Sequence, residues 1–174
     1  MIETINNFLP SKVENLLEDI FLGKSNYKMP LYFTPNITYG SGEEFNPSFS
    51  SDFYPNLLPP SNLLLNVLYF FAYFKNLYVT DIIRAKAITQ IVSPRPGLNH
   101  PHVDLHAPHL VLLYYINDAV GDTILFNDKD EEIQRVTPQK GTAIFFDGSI
   151  RHCSSRPSKF SRSILNFNFL AEKI

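Results

Sequence analysis

Two histidines and an aspartate form the most informative pattern in the sequence. His102 and Asp104 are separated by one residue, and a third candidate ligand, His152, lies far downstream. Because alternate residues of a β-strand project from the same face, His102 and Asp104 on a strand would point the same way. Together with His152 from another strand, they could occupy one triangular face of an octahedral metal ion. The pattern therefore predicts a metal site with one face left open.

An arginine ten residues beyond the last histidine strengthens this interpretation. An H-x-D triplet alone is weak evidence, because it arises easily by chance in a chain with five histidines. Two histidines and one carboxylate with open positions are, however, the ligand set of non-haem Fe(II) oxygenases. The guanidinium of Arg162 could bind a carboxylate through two hydrogen bonds. The sequence thus predicts a metal site and an anion site close together.

The C-terminal segment predicts how the two sites meet. His152 and Arg162 flank a short connection, so we expect them on neighbouring antiparallel strands that border one pocket. On the last predicted strand, Phe160 to Leu170, alternation places two sets of residues on opposite faces. One set is Arg162, Ile164, Asn166 and Asn168, and the other is Ser163, Leu165, Phe167 and Phe169. The set with the arginine and asparagines would either face solvent or line the pocket, and we favour the pocket because it then brings a cation close to a metal ligand.

The composition is that of a globular protein, with 44% hydrophobic and 18% charged residues in 174. A net charge of −2 gives no strong signal for nucleic acid. The most apolar run, Leu63 to Phe74, is shorter than the ~20 residues that span a bilayer, so we expect no membrane segment. The single cysteine, Cys153, fits a reducing compartment, and we expect a cytoplasmic protein.

Two helices and many short strands are predicted. The first helix is Lys12 to Leu22, with Ser11 and Glu14 as a capping box. The second begins near Ser61, and its nearly continuous apolar surface predicts cover on both sides. Residues 34 to 54 resemble a loop. The pattern is mainly β and indicates a two-sheet jelly roll in one domain, 1–174, with residues 1–80 supporting a metal-binding core, 81–174.

The second half of the chain resembles the 2-oxoglutarate and Fe(II)-dependent oxygenases, specifically their prolyl 4-hydroxylase-like branch. The similarity runs from about Ile82 to Leu170, and the order and spacing of its motifs agree throughout. The residues that carry it are His102-x-Asp104, Leu113 to Asp118, Gly121 to Thr123, Lys140 to Ala143, His152 and Arg162. The resemblance implies a double-stranded β-helix with supporting N-terminal helices.

The resemblance also implies a reaction. His102, Asp104 and His152 would hold Fe(II), and Arg162 would pair with the distal carboxylate of the cosubstrate 2-oxoglutarate. Tyr115 would help to position the cosubstrate; since it faces opposite to Tyr114, only one of the two can do so. We expect Asn166 to contact the cosubstrate or to fill a polar cavity. O2 is implied as the second cosubstrate, ascorbate as an optional reductant, and succinate and CO2 as coproducts.

The substrate and several alternatives stay open. A prolyl or other peptide side chain and a small metabolite are candidate substrates, although Val92-Ser93 stands where prolyl hydroxylases often carry a tyrosine. One rival is a zinc site with the pattern H-x-H-x-D-x-H, which would add His100 and His106 to the ligands, since structural zinc is tetrahedral. Others are a non-catalytic jelly-roll module and a cupin-like metal dioxygenase that does not use 2-oxoglutarate.

Overall fold

Ten β-strands and two α-helices make up the described residues of the computed structural model, which are 1–35, 47–55 and 60–174. The helices are α1 (Ser11–Phe21) and α2 (Ser61–Phe74). The strands are β1 (Ile2–Asn6), β2 (Tyr32–Thr34), β3 (Ser48–Tyr54), β4 (Leu77–Gln90), β5 (Leu110–Tyr115), β6 (Thr123–Phe126), β7 (Glu132–Val136), β8 (Thr142–Asp147), β9 (His152–Ser154) and β10 (Arg162–Lys173).

The strands form two sheets. The larger sheet has seven strands in the order β1-β8-β5-β10-β4-β3-β2, and the smaller has three in the order β7-β6-β9. Every strand pair is antiparallel. The predicted mainly-β jelly roll is therefore confirmed. Residues 1–76 supply three strands of the larger sheet in addition to the two helices.

Alternation along the central strands divides the interior into two apolar clusters. Leu112 and Tyr114 of β5 pack with α1 and α2 on one side of the larger sheet, and Leu165 and Phe167 of β10 join them. The residues between them point the other way, toward the smaller sheet. This second cluster includes Val111, Leu113, Tyr115, Leu125, Ile144, Phe146 and Ile164. The division of faces predicted for β10 is confirmed.

The start of α1 differs from the capping box expected there. The helix begins at Ser11 itself, Pro10 occupies the N-cap, and no side chain caps the helix. Glu14 is buried, and its Oε1 atom would lie 2.4 Å from a Cβ placed on Gly141. Pro10 lacks a capping hydroxyl but has the fixed φ of a helix start, so the backbone enters the helix one residue early.

The outer side of α2 is uncovered, contrary to the prediction. Leu64, Leu68 and Phe71 are fully buried against the sheet. Four aromatic residues of the same helix face outward with much of their surface exposed, and Tyr73 reaches 85% exposure; the others are Tyr69, Phe70 and Phe74. Among the described residues, no helix is long and apolar enough to cross a membrane.

Two strands lie where the sequence indicated none. β1 pairs with β8. β3, which lies in the segment expected to be a loop, pairs with β2 on one side and with β4 on the other. β3 reads Ser-Phe-Ser-Ser-Asp-Phe-Tyr, and its polar composition hides the strand. The rest of that predicted loop, residues 36–46, lies outside the described residues.

Candidate active site

The structure brings His102, Asp104 and His152 together. Their ligand atoms all lie within 4.8 Å of one another. The Nε2 atom of His102 is 3.9 Å from Asp104 Oδ1, and that of His152 is 3.9 Å from Asp104 Oδ2. These separations are too long for hydrogen bonds, yet short enough for one ion to contact all three groups.

The two histidines are joined directly through their backbones. His102 N donates to His152 O at 3.0 Å, and His152 N donates to His102 O at 2.9 Å. This is an isolated antiparallel bridge, so the prediction that His102 and Asp104 lie on a regular strand was wrong. In place of the expected strand, His102 is held by one pair of backbone hydrogen bonds, and Asp104 lies in a bend two residues later.

Backbone carbonyls fix the orientation of both imidazole rings. The Nδ1 atom of His102 lies 3.0 Å from His100 O, and that of His152 lies 3.2 Å from Ile150 O. A carbonyl can only accept, so each Nδ1 carries the proton and donates it. Each Nε2 then presents a lone pair toward Asp104, as a metal ligand must.

The environment of the triad favours the protonation states that bind a metal. Burial lowers the pKa of His152 to about 4, against the attraction of Asp104, so its imidazole is neutral at physiological pH. Burial alone would raise the pKa of the Asp104 carboxyl. At the low pH where this carboxyl titrates, the protonated His152, the Arg84 guanidinium and hydrogen bonds from two asparagines overcome this effect and lower the pKa well below its usual range.

Three side chains of the larger sheet hold the Asp104 carboxylate. Arg84 Nη2 lies 2.8 Å from Oδ1. Asn166 and Asn168 donate their amide hydrogens to Oδ2 at 3.0 and 2.9 Å. Asn168 also accepts a 2.9 Å hydrogen bond from Arg84 Nε. Neither the role of Arg84 nor the link between Asn168 and Asp104 is predictable from the sequence pattern, although alternation indicates that Asn168 faces the pocket.

Arg162 lies buried at the start of β10, with only 2% of its surface exposed. Its Nη1 donates to Gln90 Oε1 at 3.0 Å, and its Nη2 donates to Thr123 Oγ1 at 2.7 Å. Among the described residues, its Nε and the nearby Gln90 Nε2 are buried without a hydrogen-bond partner. Burial lowers the pKa of the Arg162 guanidinium, which still keeps its charge because arginine starts so high.

The expected pairing of the strands that carry His152 and Arg162 is not observed. β9 belongs to the smaller sheet, and β10 is in the middle of the larger one. The two side chains therefore approach one cavity from opposite sheets. The connection of residues 155–161 crosses between sheets, as jelly rolls do, and does not form a hairpin.

Tyr115 lies on the same side of the larger sheet as Arg162, whereas Tyr114 packs with the helices. The Tyr115 hydroxyl donates to Thr123 Oγ1 at 2.7 Å, and the Arg162 guanidinium lies 5.5 Å from the centre of the Tyr115 ring. Burial raises the pKa of the Tyr115 hydroxyl. Thr123 thus links the tyrosine to the arginine.

A cavity of about 380 Å³ joins the triad to Arg162. Its polar lining includes His102, Asp104, His152, Arg162 and Asn166, and its apolar lining includes Ile88, Leu113 and Ile164. Two further cations, Arg84 and Lys86 of β4, also line it. The volume falls within the range of roughly 300–1,000 Å³ that is usual for small-molecule sites.

The remaining histidines do not extend the triad. Within the described residues, no other His, Cys, Asp or Glu joins the cluster. His100 turns toward Pro101 O, and His106 and His109 border a different cavity of about 710 Å³. The His109 ring lies over Gly148, where an added Cβ would come within 2.3 Å of it. The alternative zinc arrangement is not formed.

Comparison with known proteins places this geometry in context. No protein-family model and no curated protein match the sequence. A Pseudomonas putida prolyl-4-hydroxylase structure matches with a TM-score of 0.65 and 14% identity, over 97% of this chain and 91% of that chain. An oxidoreductase of the 2OG-Fe(II) oxygenase family from Burkholderia pseudomallei matches with a TM-score of 0.68 and 15% identity, over 97% and 84%. The chain has the fold of the 2OG-Fe(II) oxygenases.

Proteins with this oxygenase fold differ in what they bind. HygX from Streptomyces hygroscopicus, whose structure contains nickel, 2-oxoglutarate and hygromycin B, matches with a TM-score of 0.59 and 10% identity, over 97% of this chain and 82% of that chain. The fold that the resemblance implied is therefore confirmed, whereas activity depends on the residues of the site and does not follow from the fold.

Proposed function

We propose that this protein is an Fe(II)- and 2-oxoglutarate-dependent dioxygenase that hydroxylates its substrate and forms succinate and CO2. The observation that carries the proposal is the environment of Arg162. This cation is buried in the same cavity as the triad, and none of the described carboxylates forms an ion pair with it. An unpaired buried charge is costly, so the site is best explained by an anionic ligand.

The donor set of the triad fits Fe(II). Two imidazole nitrogens and one ionised carboxylate form the 2-His-1-carboxylate set of non-haem iron oxygenases. His102, Asp104 and His152 would hold the ion, and Asn166 would act on it only through Asp104. When bound, Fe(II) would supply the O2 chemistry that oxidises both 2-oxoglutarate and a substrate C–H bond. Ascorbate as an added reductant remains a prediction.

Residues around Arg162 would select and orient the cosubstrate. Arg162 would bind the distal carboxylate of 2-oxoglutarate, because a guanidinium can donate two parallel hydrogen bonds to a carboxylate. Gln90 Nε2, the neighbouring donor without a partner, would supply another hydrogen bond. Thr123 and Gln90 Oε1 hold the guanidinium in place, and Tyr115 in turn fixes Thr123. The apolar side chains of Ile88, Leu113 and Ile164 would exclude water.

The primary substrate is proposed only as a class. A prolyl or other peptide side chain and a small metabolite are both compatible with a cavity of this size. A binding module without catalysis would have no use for a buried, unpaired arginine next to a facial triad. A cupin-like dioxygenase that does not use 2-oxoglutarate would not need it either.

An anaerobic absorption titration tests the proposal. Metal-free protein is titrated with Fe(II) and then with 2-oxoglutarate, and we expect a visible charge-transfer band that requires both. The band should vanish in His102→Ala; in Arg162→Ala it should need at least about 10-fold more 2-oxoglutarate. Lys129→Ala, an exposed turn residue, is the matched control. A protein that binds Fe(II) but gives no band with 2-oxoglutarate would contradict the proposal.

A further inference from the structure

Lys86 is the one cation of the cavity wall that has no partner among the described residues. Arg84 contacts Asp104 and Asn168, and Arg162 contacts Gln90 and Thr123. The Lys86 side chain is half-buried, and its ammonium group makes neither a hydrogen bond nor an ion pair within the described parts of the chain. The cavity therefore holds a positive charge that the proposed cosubstrate site does not use.

The position of Lys86 places it beside the metal ligands. It lies directly opposite Asn166 in the β4–β10 pair, and the Asn166 amide contacts Asp104. Arg162 lies four residues further along β10, opposite Gln90. Since a strand rises about 3.3 Å per residue, Lys86 and Arg162 stand roughly 13 Å apart along the sheet. Lys86 is therefore at the triad end of the cavity, away from the site assigned to the distal carboxylate.

A charge count supports an anionic occupant at that end. The cavity wall carries three permanent cations (Arg84, Lys86 and Arg162) and one carboxylate (Asp104), an excess of two positive charges when the imidazoles are neutral. A divalent metal and the 2-oxoglutarate dianion would cancel each other and leave that excess unchanged. The nearest acidic residue by register is Asp52 of β3, which is exposed and forms no ion pair with Lys86 in the described structure.

We propose that Lys86 binds a carboxylate of the primary substrate, so that the substrate is a small organic acid. This inference rests on the proposed function, because it assigns 2-oxoglutarate to Arg162 and the metal. A lysine ammonium is a compact point charge that suits a single anionic group. The cavity, at about 380 Å³, must also hold the cosubstrate, which favours a small molecule.

A pair of probes that differ in charge tests the proposal. The protein is loaded with Zn(II) in place of paramagnetic iron and saturated with 2-oxoglutarate, and its lysines are ¹³C-methylated for NMR. N-acetylglycine, a carboxylate, and N-acetylglycinamide, its neutral counterpart, are then titrated separately. We expect a saturable shift of the Lys86 signal, assigned by its loss in Lys86→Gln, with the acid and none with the amide.

Variants separate the possible outcomes. Lys86→Gln should weaken N-acetylglycine binding at least about 10-fold, a loss of ~1.4 kcal/mol, and leave 2-oxoglutarate affinity within about twofold. Lys129→Gln should change neither. Three outcomes would each overturn this inference while leaving the proposed function in place. These are equal binding of both probes, no response of the Lys86 signal, and a tenfold loss of 2-oxoglutarate affinity in Lys86→Gln. If 2-oxoglutarate does not bind the loaded protein at all, the proposed function fails, and the inference fails with it.

Discussion

Arg84 Nη2 lies 2.8 Å from Asp104 Oδ1, so a residue in the middle of β4 holds a metal-ligand candidate that no strand positions. Asn166 and Asn168 occupy the other carboxylate oxygen with two hydrogen bonds. A carboxylate offers about four acceptor positions, two on each oxygen. Oδ2 is therefore saturated, and Oδ1 retains one free position. The larger sheet thus selects which oxygen of Asp104 remains available to an ion.

Loss of the Asn168 amide should weaken metal binding. Asn168→Ala removes one donor to Asp104 and the acceptor of Arg84 Nε, so the carboxylate loses its fixed orientation. We expect Fe(II) affinity to fall about 10- to 100-fold, the usual effect of removing a residue that orients a ligand. Anaerobic calorimetry measures it, with exposed Asn62→Ala of α2 as the control. Unchanged affinity in a folded Asn168→Ala protein would show that Asp104 needs no such support.

Loss of the Thr123 hydroxyl should weaken 2-oxoglutarate binding and leave the metal in place. The hydroxyl accepts hydrogen bonds from Arg162 Nη2 and from Tyr115. In Thr123→Val the guanidinium loses this anchor, and we expect 2-oxoglutarate affinity to fall about 10-fold. Titration of the Fe(II)-loaded protein gives both affinities, and exposed Thr137→Val serves as the control. A parallel loss of Fe(II) affinity would mean that the two sites are not separable in this way.

Two glycines with similar backbone angles should respond very differently to alanine. Gly141 has φ +79°, and an added Cβ would lie 2.4 Å from Glu14 Oε1. Gly23 has φ +73° and no atom within 4 Å of that position. Gly23→Ala should cost about 1 kcal/mol for the left-handed conformation alone. Gly141→Ala should cost more than Gly23→Ala, about 2 kcal/mol, because the buried Glu14 carboxylate must move away from the added Cβ in addition to the backbone strain.

Urea unfolding of the two glycine variants measures these costs. A double variant, Gly141→Ala with Glu14→Ala, removes the steric part and should regain part of the loss if overlap with Glu14 is its cause. Equal destabilisation in Gly23→Ala and Gly141→Ala would contradict the assigned role of Glu14.

The metal-free protein should lose stability as the pH falls from 6.5 to 4. Burial lowers the pKa of His152 to about 4, so below pH 6.5 the unfolded chain binds a proton there that the folded chain does not. The free energy of unfolding then decreases with falling pH, by on the order of 3 kcal/mol for this residue. Chelator-treated protein is unfolded with urea across this range. His152→Gln should show a shallower dependence, and an identical slope would assign the effect to other groups.

The sequence predicted those features that depend on local alternation. The faces of β10, the opposite directions of Tyr114 and Tyr115 and the approximate bounds of most strands in the second half all follow from a period of two. Which of the two tyrosines faces the cavity does not follow from it. The same rule accounts for the two faces of β4: Ala85 and Ala87 are buried on the helix-facing side, and the cavity-lining residues of the other face are Arg84, Lys86 and Ile88.

Features that depend on long-range pairing were not predictable in this way. β3 is a strand because β2 and β4 supply its hydrogen bonds, and its own polar residues do not indicate it. Asp104 lies outside any strand, and its position is set by residues 20 to 64 positions away. His152 and Arg162 lie on different sheets, and the outer side of α2 is exposed. Both features depend on how whole layers pack, which a single sequence does not show.

The triad also bears on the stability of the fold, because its residues are attached to different sheets. His152 belongs to the smaller sheet, whereas Asp104 is attached through Arg84, Asn166 and Asn168 to the larger one. An ion shared by His152 and Asp104 would therefore cross-link the two layers of the sandwich. Because such an ion binds the folded chain in preference to the unfolded one, its binding energy would add to the stability of the fold. Iron supply would then govern how firmly the layers are held together, as well as whether the cavity can react.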